Sequence, residues 1–244
     1  MSSVLCVCAH QDDDAFIASR LWTHRCQGDK VRIVFTSSSI HKGIDYKNQR
    51  ISESRNALNL IGIGEVDFLD YPDGMTYQFI GSIIRDVQRI ISEINPSVIY
   101  LPAYEGGHID HDVVNFCVAQ AAANSQAELM EFPMYSGYNK GILPFRLRSY
   151  PPETPALVTR LSANDFLLIR NYWKCYPSQY YRFLMYVHLT SGFRKAFGFE
   201  YLRHLPPHDY LMPPIAGAAY EKYLKVTFNE FRNGVEQSLS LSIR

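Results

Sequence analysis

The sequence predicts an α/β domain, a mostly parallel β-sheet with helices on both faces. Short runs rich in β-branched and aromatic residues, at 4–8, 31–35, 66–69 and 98–102, alternate with longer segments whose apolar positions recur at helical spacing. The first and last of these runs are continuously apolar, as strands buried on both faces of a parallel sheet are. Strands that alternate with helices in this way connect by right-handed crossovers. A chain of 244 residues with 47% hydrophobic content can bury a sizeable core, so one domain is expected over 1–244. Its regular core runs to about residue 180, and a less regular C-terminal extension covers about 181–244.

The elements follow in order. After Val4-Leu5-Cys6-Val7-Cys8, a helix opens at Asp12, Asp13 and Asp14 and shows Phe16, Ile17, Leu21 and Trp22 at helical spacing. A second strand over 31–35 leads through a serine-rich loop to a helix over about 47–61, stopped by Gly62. A third strand at 66–69 ends in the turn Pro72-Asp73-Gly74. The isoleucine-rich stretch from Tyr77 to Asn95 reads as one amphipathic helix, ended by Pro96. The strand Val98–Pro102 follows, then a flexible Glu105-Gly106-Gly107 turn, a helix from about Asp112 to Ala123, and a further strand over 129–135.

Two clusters stand just beyond strands. Ala9-His10-Gln11-Asp12-Asp13-Asp14 follows the first run, and His108-Ile109-Asp110-His111 follows the run at 98–102. The carboxyl rim of an open α/β sheet is where ligands bind, so the two clusters are expected to converge. The aspartates alone would serve as helix caps, since carboxylates suit a helix N-terminus. Two histidines flanking an aspartate exceed what a cap needs. Histidine and carboxylate are good zinc ligands, and a catalytic zinc keeps three protein ligands and an open position. His10, one first-cluster aspartate, and His108 or His111 meet that count.

These residues resemble a known family. A strand followed by Ala-His-Pro-Asp-Asp-Glu, with His-Pro-Asp-His after a later strand, marks the zinc-dependent amidosugar de-N-acetylases of the PIG-L or LmbE-like family. Between the motifs, Arg50-x-x-Glu53-x-x-x-Ala57-x-x-x-Ile61-Gly62 and Phe68-Leu69-Asp70-Tyr71-Pro72-Asp73-Gly74 resemble family blocks in the same order, and Tyr176-Pro177-Ser178-Gln179 resembles a weaker block. The resemblance spans roughly residues 3 to 180. It implies a Rossmann-like fold and a zinc-dependent hydrolase that removes an N-acetyl or other N-acyl group from an amino sugar or its conjugate. It further implies that His10, Asp13 and His111 bind the metal and that Asp12 is the general base. His108 would stabilise the oxyanion and serve as an acid, Asp110 would orient His108, and Arg50 and Asp73 would hold sugar hydroxyls.

The chemistry requires such residues. An amide is a poor electrophile with a poor leaving group, and zinc lowers the pKa of bound water from about 15.7 to roughly 7 while polarising the carbonyl. A carboxylate beside that water accepts its proton, and a histidine oriented and kept protonated by Asp110 meets the developing negative charge. Two residues depart from the family pattern. Gln11 stands where proline is usual, which predicts a less rigid turn. Asp14 stands where glutamate is usual, so the contact of a longer side chain has to be rebuilt.

Composition narrows the alternatives. Basic and acidic residues number 24 each and the pI is near 7.1, which gives no field for nucleic acid or an anionic membrane. No apolar stretch approaches the roughly 18 residues of a transmembrane helix, and three aspartates within the first 14 residues run against a signal peptide. A soluble, cytoplasmic protein with a small-molecule partner is expected. Its five cysteines, Cys6, Cys8, Cys26, Cys117 and Cys175, show no zinc-knuckle spacing and read as reduced thiols. In the C-terminal third, many tyrosines read as core-edge packing, with stacking on sugar rings as the alternative, and Arg182, Arg194, Lys195 and Arg203 as a solvated face or a phosphate contact. Two other functions stand beside the hydrolase. Two histidines and a carboxylate also make the open site of a non-haem Fe(II) enzyme, with Fe2+ in place of Zn2+. A catalytically inactive Rossmann-like binding protein would keep the acidic loops as caps, but the turn after the first strand lacks Gly-x-Gly-x-x-Gly.

Overall fold

A computed structural model of the chain describes residues 1–136, 146–147, 150, 154–181, 184 and 198–242. Its centre is a seven-stranded sheet in the order β3-β2-β1-β4-β5-β9-β8. The first five strands are β1 (Ser3–Cys8), β2 (Lys30–Ser38), β3 (Glu65–Pro72), β4 (Val98–Pro102) and β5 (Glu128–Phe132), all parallel to their neighbours. Helices α1 (Ala18–Cys26), α2 (Ile44–Leu60), α3 (Ile80–Ile94) and α4 (Ile109–Ala121) connect them. A short pair follows, β6 (Tyr135–Ser136) with β7 (Arg146–Leu147), and then β8 (Leu157–Arg160), α5 (Ala163–Lys174), β9 (Phe199–His204), α6 (Ala219–Tyr223) and α7 (Phe228–Ser242).

The pleat of β1 explains the two layers. Val4, Cys6 and Cys8 enter one core with Leu21, Phe35, Ala57 and Trp173, whereas Leu5, Val7 and Ala9 enter another with Ile83, Val87, Val113 and Phe231. Successive side chains of a strand point to opposite faces, so a run that is apolar at every position must be covered twice. Full burial of each such aliphatic side chain contributes about 1.5–3 kcal/mol. The same logic shapes α3, which buries Ile80, Ile83, Val87, Ile90 and Ile91 along one stripe and ends at Asn95 in the left-handed conformation, directly before Pro96.

The boundaries differ from expectation where side chains take over backbone work. The helix expected from Tyr77 starts as a 3-10 turn over Thr76–Phe79, because the N–H and hydroxyl of Thr76 are drawn to the Asp110 carboxylate. The helix expected from Asp112 begins three residues earlier. His108 is its N-cap, with Nδ1 accepting from the Asp110 N–H at 3.2 Å, so Asp110 and His111 lie in the first helical turn. The expected strand at 129–135 is split into β5 and β6.

The C-terminal third is more regular than its sequence suggests. Strand β9, from the expected extension, pairs antiparallel with β5 on one side and β8 on the other, and so extends the sheet. Its register is fixed by a buried charge: Glu131 on β5 accepts from Arg203 Nε at 2.5 Å and lies 2.7 Å from His208 Nε2. All five cysteines are free thiols. Among the described residues, no helix is long and apolar enough to cross a membrane. Arg182, Arg194 and Lys195 lie outside the described residues.

Candidate metal centre

Strand order places the site. Chain connections leave β1 toward β2 on one side while β4 lies on its other side, so the crevice beyond the ends of β1 and β4 is the topological switch point of the sheet. The loop after β1 delivers His10, Asp12 and Asp13 to it, and the first turn of α4 delivers His108, Asp110 and His111. The turn after β3 adds Asp73. All of these except Asp12 are connected by close contacts.

The tightest grouping is His10, Asp13 and His111. Nδ1 of His10 lies 3.2 Å from Nε2 of His111 and 3.5 Å from Oδ2 of Asp13, and His111 Nε2 lies 3.4 Å from Asp13 Oδ1. A tetrahedral ion with bonds of about 2.0–2.1 Å needs ligand atoms separated by about 3.3–3.4 Å. Each pair therefore stands at the spacing of two ligands on a zinc-sized ion, with Asp13 meeting the two histidines through different carboxylate oxygens. The backbone N–H of His10 holds Asp13 Oδ2 at 2.7 Å, and Nδ1 of His111 is buried with no hydrogen-bond partner. Two groups of donor atoms lie close enough to share one ion, and both include His10 and His108: one adds His111, the other Asp73 and Asp110.

Electrostatics fit the same picture. Burial works against a charged His10, but Asp73, Asp13 and Asp110 outweigh it and hold the imidazolium well above its usual range. Burial likewise opposes ionised Asp13, and His111 and His10 outweigh it, so its carboxyl falls well below the usual range. A site with three carboxylates around two histidines calls for positive charge at its centre.

The Asp110 side chain makes its hydrogen bonds away from His108, the ring it is expected to orient. Its Oδ2 lies 3.1 Å from His10 Nε2 and accepts from the Gly74 N–H at 2.7 Å, and its Oδ1 takes the Thr76 hydroxyl at 2.5 Å. The nearest approach to His108 Nδ1 is 3.9 Å, beyond a hydrogen bond. The reason is competition: the Asp110 peptide N–H occupies His108 Nδ1 while the carboxylate is consumed by His10 and the 74–76 turn. Burial, and then the charge on His10, push His108 down to about 4, so the ring is neutral. With Nδ1 accepting, its proton sits on Nε2. Asp110 thus stands behind the His10 ring, where a carboxylate often orients a histidine ligand. Asp110→Asn is expected to weaken metal binding by about 10- to 100-fold. Titration with a chromogenic chelator measures this, and unchanged affinity would return Asp110 to His108.

Asp12 occupies an unusual backbone conformation, φ 155° and ψ −12°, that costs on the order of 1–3 kcal/mol and needs support from its surroundings. Arg50, expected to hold sugar hydroxyls, is nearly buried and is turned instead to this loop: Nη2 donates to the Asp12 carboxylate at 2.7 Å and to the Gln11 carbonyl. Burial raises the Asp12 carboxyl and Arg50 partly offsets it, leaving the group above its ordinary value. Gln11, where a looser turn was expected, is buried and anchored by its side-chain amide to the Ser37 carbonyl at 2.7 Å. Asp73 lies 3.2 Å from His10 Nε2, and a fifth of its side chain is exposed at the mouth.

Sequence reasoning missed several participants. Tyr135 brings its hydroxyl to 3.4 Å from His111 Nε2, and Thr76 holds Asp110. Tyr172 and Tyr176 both donate to Asp14, whose carboxyl burial pushes up to about 7. Tyr172 and Tyr176 are four residues apart, one in the last turn of α5 and the other just past its end. Gly107 is required by space: a Cβ there would fall 1.8 Å from the Tyr135 carbonyl oxygen. On the far side of this turn lies a cavity of about 390 Å³ lined by Tyr104, Glu105, Tyr150, Arg203 and His208. Arg203, considered for a phosphate, is tied there to Glu131 and packs 4.4 Å over the Tyr150 ring.

Glu105 opens the turn that carries His108, and it gives a pH prediction. Its Oε1 accepts from the N–H groups of Met134 and Tyr135 while Oε2 is buried without a partner. Burial pushes its carboxyl up to about 8. The folded chain then holds this proton more tightly than the unfolded chain, so the group's contribution to stability declines from about pH 4.3 to about pH 8. Glu105→Gln should be more stabilising at pH 8 than at pH 5 by more than about 1 kcal/mol, measured by urea unfolding at both. Equal effects at the two pH values would place a charged Glu105 in the folded protein.

Comparisons with known proteins bear on the fold and its family. Residues 5–122 match the PIG-L family pattern, described as GlcNAc-PI de-N-acetylase. No curated protein sequence matches the chain. Among solved structures, a deacetylase of the teicoplanin biosynthesis pathway is 14% identical with a TM-score of 0.65, covering 85% of this chain and 100% of that one. The N,N'-diacetylchitobiose deacetylase from Pyrococcus horikoshii is 16% identical with a TM-score of 0.57, over 84% of each chain. The 4-carboxy-2-hydroxymuconate hydratase GalB from Pseudomonas putida is 15% identical with a TM-score of 0.54, over 85% of this chain and 98% of that one. At these identities the likeness is one of fold, and the fold carries both hydrolases and a hydratase.

Proposed function

We propose, from the match of residues 5–122 to the PIG-L family of de-N-acetylases, that the chain is a zinc-dependent hydrolase that removes an N-acyl group from an amino sugar or its conjugate. The observation that carries the reading is the pairwise approach of His10, Asp13 and His111 at 3.2–3.5 Å. Deacetylases of similar fold support an amidosugar as substrate.

When bound by His10, Asp13 and His111, zinc would supply a lowered pKa for water and a polarised amide carbonyl. Asp12, raised by burial and held by Arg50, accepts the proton of the attacking water. His108, neutral with its proton on Nε2, donates a hydrogen bond to the carbonyl oxygen as negative charge develops there. The C–N bond then breaks, and protonated Asp12 returns its proton to the departing nitrogen, leaving a free amine and a carboxylic acid. Asp110 keeps the His10 ring in place, and Asp73 at the mouth is placed to accept a hydrogen bond from a sugar hydroxyl.

The test is an assay of amine release from a panel of N-acetylglucosamine conjugates, on protein stripped with a chelator and then resupplied with zinc. Release that depends on zinc is expected. Zinc-loaded protein that releases amine from no member, or turnover that depends on oxygen, would contradict the reading.

A further inference from the structure

Resting on the metal-dependent reading above, we propose that Tyr172 and Tyr176 clamp Asp14 as a positioning device for the metal-binding loop, fixing where Asp13 stands. Asp14 is fully buried and accepts from Tyr172 Oη at 2.6 Å on Oδ2 and from Tyr176 Oη at 2.8 Å on Oδ1. Both tyrosines are themselves fully buried, Tyr172 in the last turn of α5 and Tyr176 just beyond it. Residues more than 150 positions apart in sequence thus meet on the side chain next to Asp13.

Local structure alone does not hold this loop. The 3-10 turn Asp13–Ile17 has no side-chain cap at Asp12, and the N–H groups of Asp12 and Asp13 share one acceptor, the His10 carbonyl. Between them sits the strained backbone of Asp12, a conformation that persists only where neighbours over-determine it. On its N-terminal side Gln11 is tied to Ser37, and Arg50 grips Gln11 and Asp12. On its C-terminal side the only hydrogen bonds from outside the loop to a residue 13–15 side chain, among those the structure describes beyond the metal cluster, come from the two phenols on Asp14. Packing alone would be met by phenylalanine, whereas two hydroxyls converging on one carboxylate define its position and orientation. The shorter side chain of Asp14, in place of the family's glutamate, is matched by hydroxyls that reach in to it.

The experiment compares the wild type with Tyr172→Phe, Tyr176→Phe, the double variant and Asp14→Asn. Zinc affinity is read by chelator competition, ligand geometry by the visible spectrum of the cobalt-substituted protein, and folding by thermal unfolding. The double variant is expected to fold, to bind zinc at least about tenfold more weakly, and to show an altered cobalt spectrum, with the single variants between. A folded double variant with wild-type affinity and spectrum would overturn the proposal, even with a lower melting temperature, and leave the metal-dependent reading intact. If the double variant fails to fold, the single variants and Asp14→Asn decide by the same two readouts. A wild type that binds neither zinc nor cobalt would overturn the metal reading and the clamp together.

Discussion

Asp12→Asn is expected to keep its metal and lose turnover by roughly 100-fold or more, the contribution of general base catalysis. The amide matches the carboxylate in shape and can still meet Arg50, but it cannot take a proton from water. Asp13→Asn should instead lose metal, because a neutral amide oxygen replaces an anionic ligand between His10 and His111. The two positions are adjacent and share one loop, so general destabilisation would affect both alike. Metal content by elemental analysis and turnover by amine release separate the roles. If Asp12→Asn loses zinc while Asp13→Asn keeps it, the assignments are exchanged; a folded, metal-loaded and fully active Asp12→Asn protein would exclude Asp12 as the base.

The second large effect is expected at the histidines. His10→Ala and His111→Ala should each leave two protein ligands, too few for a catalytic zinc site, and should purify with strongly reduced zinc and no measurable activity. The His111 variant is the cleaner of the two. His111 is fully buried in the first turn of α4, whereas His10 also binds Asp110 and faces Asp73, so its loss leaves two carboxylates without their shared partner. Stoichiometric zinc in folded His111→Ala protein would remove His111 from the ligand set.

Much of the fold was legible because hydrophobic pattern and strand burial are local properties. The unbroken run Val4–Cys8 needs two covering layers, and the isoleucines of α3 form a stripe that can face only one way. What was not legible depends on which distant group reaches a side chain first. Nothing in His108-Ile109-Asp110-His111 shows that Gly74 and Thr76 will bring Asp110 to His10 and away from His108. Arg50 reads as a cation available to substrate until Asp12 and Gln11 are seen to occupy it. Strand β9 was hidden by its charges, since Glu200 is buried and Arg203 half-buried only because Ser19 and Arg20 bind the first and Glu131 the second. The aspartate at position 14 could be recognised as a departure, but its partners lie some 160 residues away on α5 and just past its end.

The most direct measurement is a crystal structure of the zinc-loaded protein with anomalous data collected on both sides of the zinc absorption edge. A single anomalous peak is expected within bonding distance of His10 Nδ1, an Asp13 carboxylate oxygen and His111 Nε2, with Asp110 on the far nitrogen of His10. A peak held instead by Asp73, His108 and Asp110, or no peak at the end of β1 and β4, would contradict the account.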